Sequence, residues 1–416
     1  MWDRRLFLKS TGFALLAYGA GPSFLTRAAA AAPGERRRVL VALFQRGAMD
    51  ALAAVPPVDD AALRRLRPRL ALSAARAAGA EAAVDLGVGF ALHPALAPLA
   101  PRFRERELAI VHCVGSPDPT RSHFDAQDFM ESGTPGRKGT ASGWLNRVCG
   151  ELGHEATPLR AVAIAPALPR SLYGPEPAVA IQHLEEFGVG LRGAAEASRV
   201  AGRGFESLYE EAAGDLLRAT GRETFEAMQL LDRRELAGYR PARGADYPRS
   251  PLGQALRQTA QLVKAGVGLE VAFVESGGWD THVQQGTTSG SFARRASDLA
   301  AAIDAFWTDL GARRDEVVLM TMTEFGRTVG ENGSGGTDHG HGSCLFLLGT
   351  AVDGGKVHGR FPGLAEGELH EGRDLPVTTD FRAVFAEVAR RHLGIADGEE
   401  IFPGWRGAPM PLFRRA

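Results

Sequence analysis

The chain has 416 residues, 44% of them hydrophobic and 23% charged, with a formal net charge of -1. That is the composition of a globular chain long enough for one large or two ordinary domains, and its near-neutral charge argues against nucleic acid or an acidic membrane as partner. Three cysteines, Cys113, Cys149 and Cys344, with no C-x-x-C spacing, exclude a disulfide framework and read as small core residues.

The first element is a leader. Arg4 and Arg5 open a twin-arginine pattern, an apolar run of about 15 residues follows from Thr11 to Leu25, and Ala28 to Ala32 offer small residues for cleavage. The run is broken by Gly12, Gly19, Gly21 and Pro22 and falls short of the ~20 residues that span a bilayer. Residues 1–32 are therefore expected to be a signal peptide. The twin-arginine export machinery becomes a partner and the location periplasmic or extracellular. No later stretch is long and apolar enough to span, so residues 33–416 are expected to form the mature chain.

Five continuous apolar runs then follow: Arg38 to Phe44, Leu108 to Val114, Leu269 to Val274, Val317 to Thr323 and Cys344 to Leu348. Continuous rather than alternating hydrophobicity predicts strands buried on both faces, as in a parallel sheet. Between them Ser250-Pro251 caps a helix that Gly266 stops; Phe292 to Leu310 has amphipathic spacing; Thr379-Asp380 caps a third helix. Residues of about 195–240, charged and helical in pattern, read as an insertion. Strands alternating with helices predict one doubly wound α/β domain.

Ligands of such sheets bind beyond the carboxyl ends of the strands. There the sequence places Asp50 after the first run and Thr120, Arg121, Ser122 and His123 after the second. Glu275, Asp280 and His282 follow the third, and Glu324 the fourth, which opens a glycine-rich loop carrying Asp338, His339 and His341. Asp280-x-His282 and His339-x-His341 have the i, i+2 spacing that turns two side chains the same way in extended chain. Imidazole with carboxylate suits Zn²⁺, and added oxygens admit Mn²⁺, Mg²⁺ or Ca²⁺. Asp50 has a second reading as a helix cap, and Arg46 and Arg327 as structural ion-pair partners instead of anion clamps. The glycines are expected to supply the backbone freedom that aims these ligands.

Taken together, R-G-x-x-D, T-R-S-H-F-D-A-Q, G-G-W-D-T-H, T-E-F-G-R-T and T-D-H-G-H-G behind a twin-arginine start resemble the domain-of-unknown-function-1501 family of exported bacterial proteins. That family is similar in turn to the alkaline phosphatase and sulfatase superfamily. The resemblance implies a three-layer α/β/α sandwich, a divalent metal ion and an anionic phosphate, sulfate or polysaccharide ester as substrate. It implies Asp50 as a ligand ending the first strand, Glu275 and Asp280 as a ligand pair with His282 nearby, and His339 or His341 as the final ligand. Ser122, ten residues before Ser132-Gly133, stands where the superfamily has its nucleophile, with Thr120 as second choice. Glu324-Phe325 departs from the superfamily's Asp-His, and no C-x-P-S-R sulfatase motif is present. A hydrolase is the expectation; a periplasmic binding or assembly protein that keeps the fold is the alternative.

Overall fold

The computed structural model describes residues 37–58, 60–72, 82–154, 156–186, 238–396 and 398–415. The expected signal peptide and nearly all of the expected insertion lie outside these residues.

Each apolar run forms a strand: β1 Val39–Gln45, β4 Leu108–Gly115, β7 Val271–Ser276, β8 Val317–Met322 and β9 Ser343–Leu348. Shorter strands complete the set: β2 Val84–Asp85, β3 Ala91–Leu92, β5 Ala161–Ala163, β6 Val179–Ala180, β10 Val357–His358 and β11 Thr379–Asp380. Among the described residues nine strands make one sheet in the order β10-β4-β9-β8-β1-β7-β5-β6, with β11 also on β4; β2 and β3 form a separate hairpin. Only β9 runs antiparallel to its neighbours, pairing so with β4 and β8. The carboxyl ends of β4, β8, β1 and β7 and the amino end of β9 therefore share one edge.

Alternate residues of β1 enter opposite cores, as the two-residue period of a strand requires. Val39, Val41 and Leu43 pack with helices α4 (Pro251–Ala265) and α5 (Ser291–Leu310); Leu40, Ala42 and Phe44 pack with α3 (Trp144–Glu151) and α6 (Phe381–Val388). The architecture is the expected three-layer α/β/α sandwich around a mostly parallel sheet. Two further helices start at the shared edge: α1 (Ala51–Ala54) after β1 and α2 (His123–Ser132) after β4. The expected helix boundaries hold. Ser250 Oγ accepts from Gly253 N at 3.0 Å, Gly266 closes α4 in the left-handed conformation, and Asp380 caps α6. Cys113, Cys149 and Cys344 are free and buried. No described helix is long and apolar enough to cross a membrane.

Candidate metal centre

Three strand ends bring four side chains to one point. His123 comes from the first turn of α2, Asp280 and His282 from the loop after β7, and His339 from the loop between β8 and β9. His339 Nε2 lies 3.0 Å from His123 Nε2, 2.8 Å from His282 Nε2 and 3.3 Å from Asp280 Oδ1. Asp280 Oδ1 is 3.0 Å from His282 Nε2, and Oδ2 is 3.6 Å from His123 Nε2. Nitrogen ligands about 2.0–2.1 Å from one ion stand roughly 3 Å apart, so this spacing is that of a coordination shell.

The far side of each ring decides its proton. His123 Nδ1 meets Glu324 Oε1 at 2.9 Å, His282 Nδ1 meets Asp338 Oδ1 at 3.1 Å, and His339 Nδ1 meets the Arg121 carbonyl at 2.9 Å. Burial alone would raise the Glu324 carboxyl, yet bonds from His123 and Gln127 and from the Gly47 N–H hold it below its ordinary range. The Asn332 amide, and then His282, lowers Asp338. Ionised carboxylates and a carbonyl can only accept, so all three Nδ1 atoms carry the proton. Three unprotonated Nε2 lone pairs then face one another and a carboxylate with no hydrogen between them. Such a set repels itself until a cation enters, and outward Nδ1–H bonds are how metal-ligating histidines are held.

Beneath the cluster lies Arg327, 1% exposed. Its guanidinium donates to the carbonyls of Ala48 (2.9 Å), Thr337 (3.0 Å), Gly47 (2.6 Å) and Trp279 (3.2 Å), and to Asp280 Oδ1. One side chain thus ties the β1 turn, the β7 loop and the β8–β9 loop together. Burial would raise the Asp280 carboxyl; the Arg327 contact outweighs it and keeps the group below its usual range.

The β8–β9 loop owes its glycines to crowding more than to unusual angles, a correction to the sequence reading. Between residues 326 and 342 only Gly335 has a positive φ. A Cβ at Gly340 would overlap the Arg327 carbonyl, and one at Gly336 the Thr281 and His282 carbonyls.

Several expected ligands stand elsewhere. Asp50 is 1% exposed and caps α1: Oδ1 accepts from Leu52 N, Ala53 N and Arg67, and Oδ2 from Arg67 (2.8 Å) and Gln285 (2.7 Å). Its lone pairs are occupied. Glu275 shares a sheet face with Phe273, where Arg46 lies over the Phe44 and Phe273 rings and takes Glu275 at 2.7 Å and Glu131 at 3.0 Å. Arg46 is therefore an ion-pair partner, and Arg327 a buried tie; neither is an open anion clamp. His341 departs from His339 because the chain bends at residue 341 instead of running extended. It stacks on His370 at 4.3 Å between ring centroids, and burial lowers its pKa to about 4. Glu324 and Asp338 reach the site only through His123 and His282. Thr120 Oγ1 accepts from Ser122 N at 3.3 Å, a turn role. Ser122 is the N-cap of α2 with no cap bond from its own hydroxyl. The residue overlooked as a ligand is His123, although it directly follows the candidate nucleophile in the stretch after β4.

No curated protein matches the chain. Among solved structures it is similar to the PsFucS1 sulfatase from Pseudoalteromonas sp., at 10% identity and a TM-score of 0.37, over 91% of this chain and 74% of that one. Residues 112–402, which hold all four converging side chains, match the model of the protein family of unknown function DUF1501, and the chain belongs to that family.

Proposed function

We propose that the chain is an exported metal-dependent hydrolase of phosphate or sulfate esters. The observation that carries this reading is the set of three imidazole lone pairs and one carboxylate facing a common point, each ring fixed from behind. His123, Asp280, His282 and His339 would hold the ion. The nitrogen-rich set favours Zn²⁺ or Mn²⁺ over Mg²⁺ and Ca²⁺, which prefer oxygen alone. A divalent ion there supplies polarisation of an ester oxygen and a lowered pKa for bound water.

The chain's own groups do the rest. Arg327 offsets the Asp280 charge and fixes its Oδ1 toward the cluster. Glu324 and Asp338 keep the His123 and His282 protons on Nδ1. Ser122 leaves the first-turn N–H groups of α2 uncapped by its side chain, so that end of the helix is open to an anionic group. Its hydroxyl, or water, is the attacking group, and the alcohol is expelled.

The test is elemental analysis followed by turnover of aryl phosphate and aryl sulfate esters, with His123→Ala and Ser122→Ala as variants. Loss of both metal and turnover in His123→Ala supports the hydrolase. The alternative, a binding or assembly protein, draws on one observation: Arg46 and Arg327 are both engaged by protein acceptors. Stoichiometric metal without turnover of any ester in the panel would favour it. Export is part of the same proposal and rests on Arg4 and Arg5. Fractionation of a precursor with both changed to lysine tests it, and normal export of that precursor would contradict it.

A further inference from the structure

Among the described residues four large apolar side chains are exposed: Val88, Phe124, Tyr173 and Val283. Val88 belongs to the β2–β3 hairpin loop, and Tyr173 lies under the Arg170 guanidinium, 5.8 Å from its ring centroid. The other two flank the metal centre. Phe124 is 89% exposed and follows His123; Val283 is 62% exposed and follows His282. The Nε2 atoms of those two histidines both lie within 3.0 Å of His339 Nε2, so the apolar pair reaches the cluster from two different strand ends.

Neither exposure comes from a loosely held chain. Phe124 is on the first turn of α2, where Ala126 N donates to Ser122 O at 2.9 Å. Beyond Val283, Gln284 N and Gln285 N donate to Ser334 O (3.0 Å) and Gly335 O (2.9 Å), and Gln284 is held at φ 45. That left-handed conformation is unfavourable for a residue with a Cβ, so tertiary contacts impose the direction in which Val283 points. A single exposed apolar side chain needs no explanation, but a fixed pair bordering a cation site does.

We propose that Phe124 and Val283 form an apolar lip over the metal centre. The substrate is then an anionic ester whose charged group is borne on a flat ring, either aromatic or a sugar offering its C–H face. This rests on the hydrolase reading above and narrows its substrate class. The charge follows from the floor of the site, where a dication beside Arg327 exceeds the single carboxylate of Asp280. The flatness follows from Phe124, whose open face pairs with another ring at 4.5–7 Å between centroids. A short alkyl ester would leave that face wet.

The experiment compares phenylphosphonate, methylphosphonate and glucose 6-sulfate as ligands of the metal-loaded protein by calorimetry. In wild type a ring-bearing probe binds about tenfold tighter than methylphosphonate, a gain of the size that ring stacking gives. Phe124→Ala reduces the preference to near one at unchanged metal content, and Phe124→Trp retains it. A Phe124-dependent gain for phenylphosphonate alone assigns an aryl ring, and one for glucose 6-sulfate alone a sugar. Metal binding with no ring preference, or with a preference indifferent to Phe124, overturns this inference and leaves the metal centre standing. A chain that binds no metal overturns the hydrolase reading, and this inference with it. If sedimentation shows a dimer that Phe124→Ala dissociates, the lip is a self-interface and the inference is wrong.

Discussion

Asp50→Ala separates a structural acid from a metal ligand. In the wild type the Asp50 carboxylate accepts from Leu52 N (3.1 Å), Ala53 N (3.2 Å), both terminal nitrogens of Arg67 and Gln285. Both partners of the ion pair are 1% exposed, and Arg67 also donates to the carbonyls of Val329 and Thr328. Burial would raise the Asp50 carboxyl, but the Arg67 guanidinium holds it low, so the pair is ionic at neutral pH. Truncation leaves a guanidinium without its counter-charge in the core, costing about 3–5 kcal/mol. The lost helix cap adds about 1 kcal/mol. Urea denaturation followed by circular dichroism should therefore show about 4–6 kcal/mol less stability. Adding Arg67→Met should restore much of it, because the stranded charge is gone. The folded fraction of both variants should keep its metal. A variant of near wild-type stability that has lost the metal would refute the reasoning and return Asp50 to the ligand set.

Three further outcomes follow from the same geometry. Glu324→Gln weakens the hold on the His123 Nδ1–H, and metal affinity measured by chelator competition should fall roughly 10–100-fold, the usual range for outer partners of metal-bound histidines; unchanged affinity would contradict that role. Gly340→Ala should displace His339 and abolish most metal binding, because the added Cβ meets the Arg327 carbonyl; full metal content would show the loop is not held as described. Burial lowers the His112 pKa to about 4, so between pH 6.5 and 4 the unfolded chain takes up a proton that the folded chain refuses. Its stabilising contribution is present above about 6.5 and fades as pH falls, by about 3 kcal/mol in all. His112→Phe should be less stable at pH 7, since Val55 O loses its partner at 3.1 Å, yet flatter between pH 6.5 and 4; an undiminished acid slope in that variant would exclude His112 as a source.

The long strands and the capped helices could be read from the sequence because their signals are local. Val39–Gln45 or Val317–Met322 is a run of side chains that must be buried on both faces, and Ser250 with Gly266 marks both ends of α4 in its own chemistry. The convergence on one sheet edge was legible for the same reason, since strand ends follow from strands. Long-range partners were not. Asp50 looks alike as cap and as ligand until Arg67 and Gln285, 17 and 235 residues away, are seen to occupy it. His123 reads as an ordinary first-turn residue until β4 is found two strands from β8. His339 and His341 share a spacing that implies a common direction, but only in extended chain, and the bend at 341 is set by the β8–β9 loop folding onto its neighbours. Glu275 turned toward Arg46 because Phe273 and Phe44 form the floor on which that guanidinium lies.

The most direct measurement is diffraction from crystals of the metal-loaded protein, collected on either side of the absorption edge of Zn or Mn. One anomalous peak should lie within about 2.0–2.2 Å of Nε2 of His123, His282 and His339 and of an Asp280 oxygen. It should be absent from crystals of His339→Ala. A peak bound instead by Asp50, Glu275 or His341, or no peak in fully loaded protein, would contradict the account.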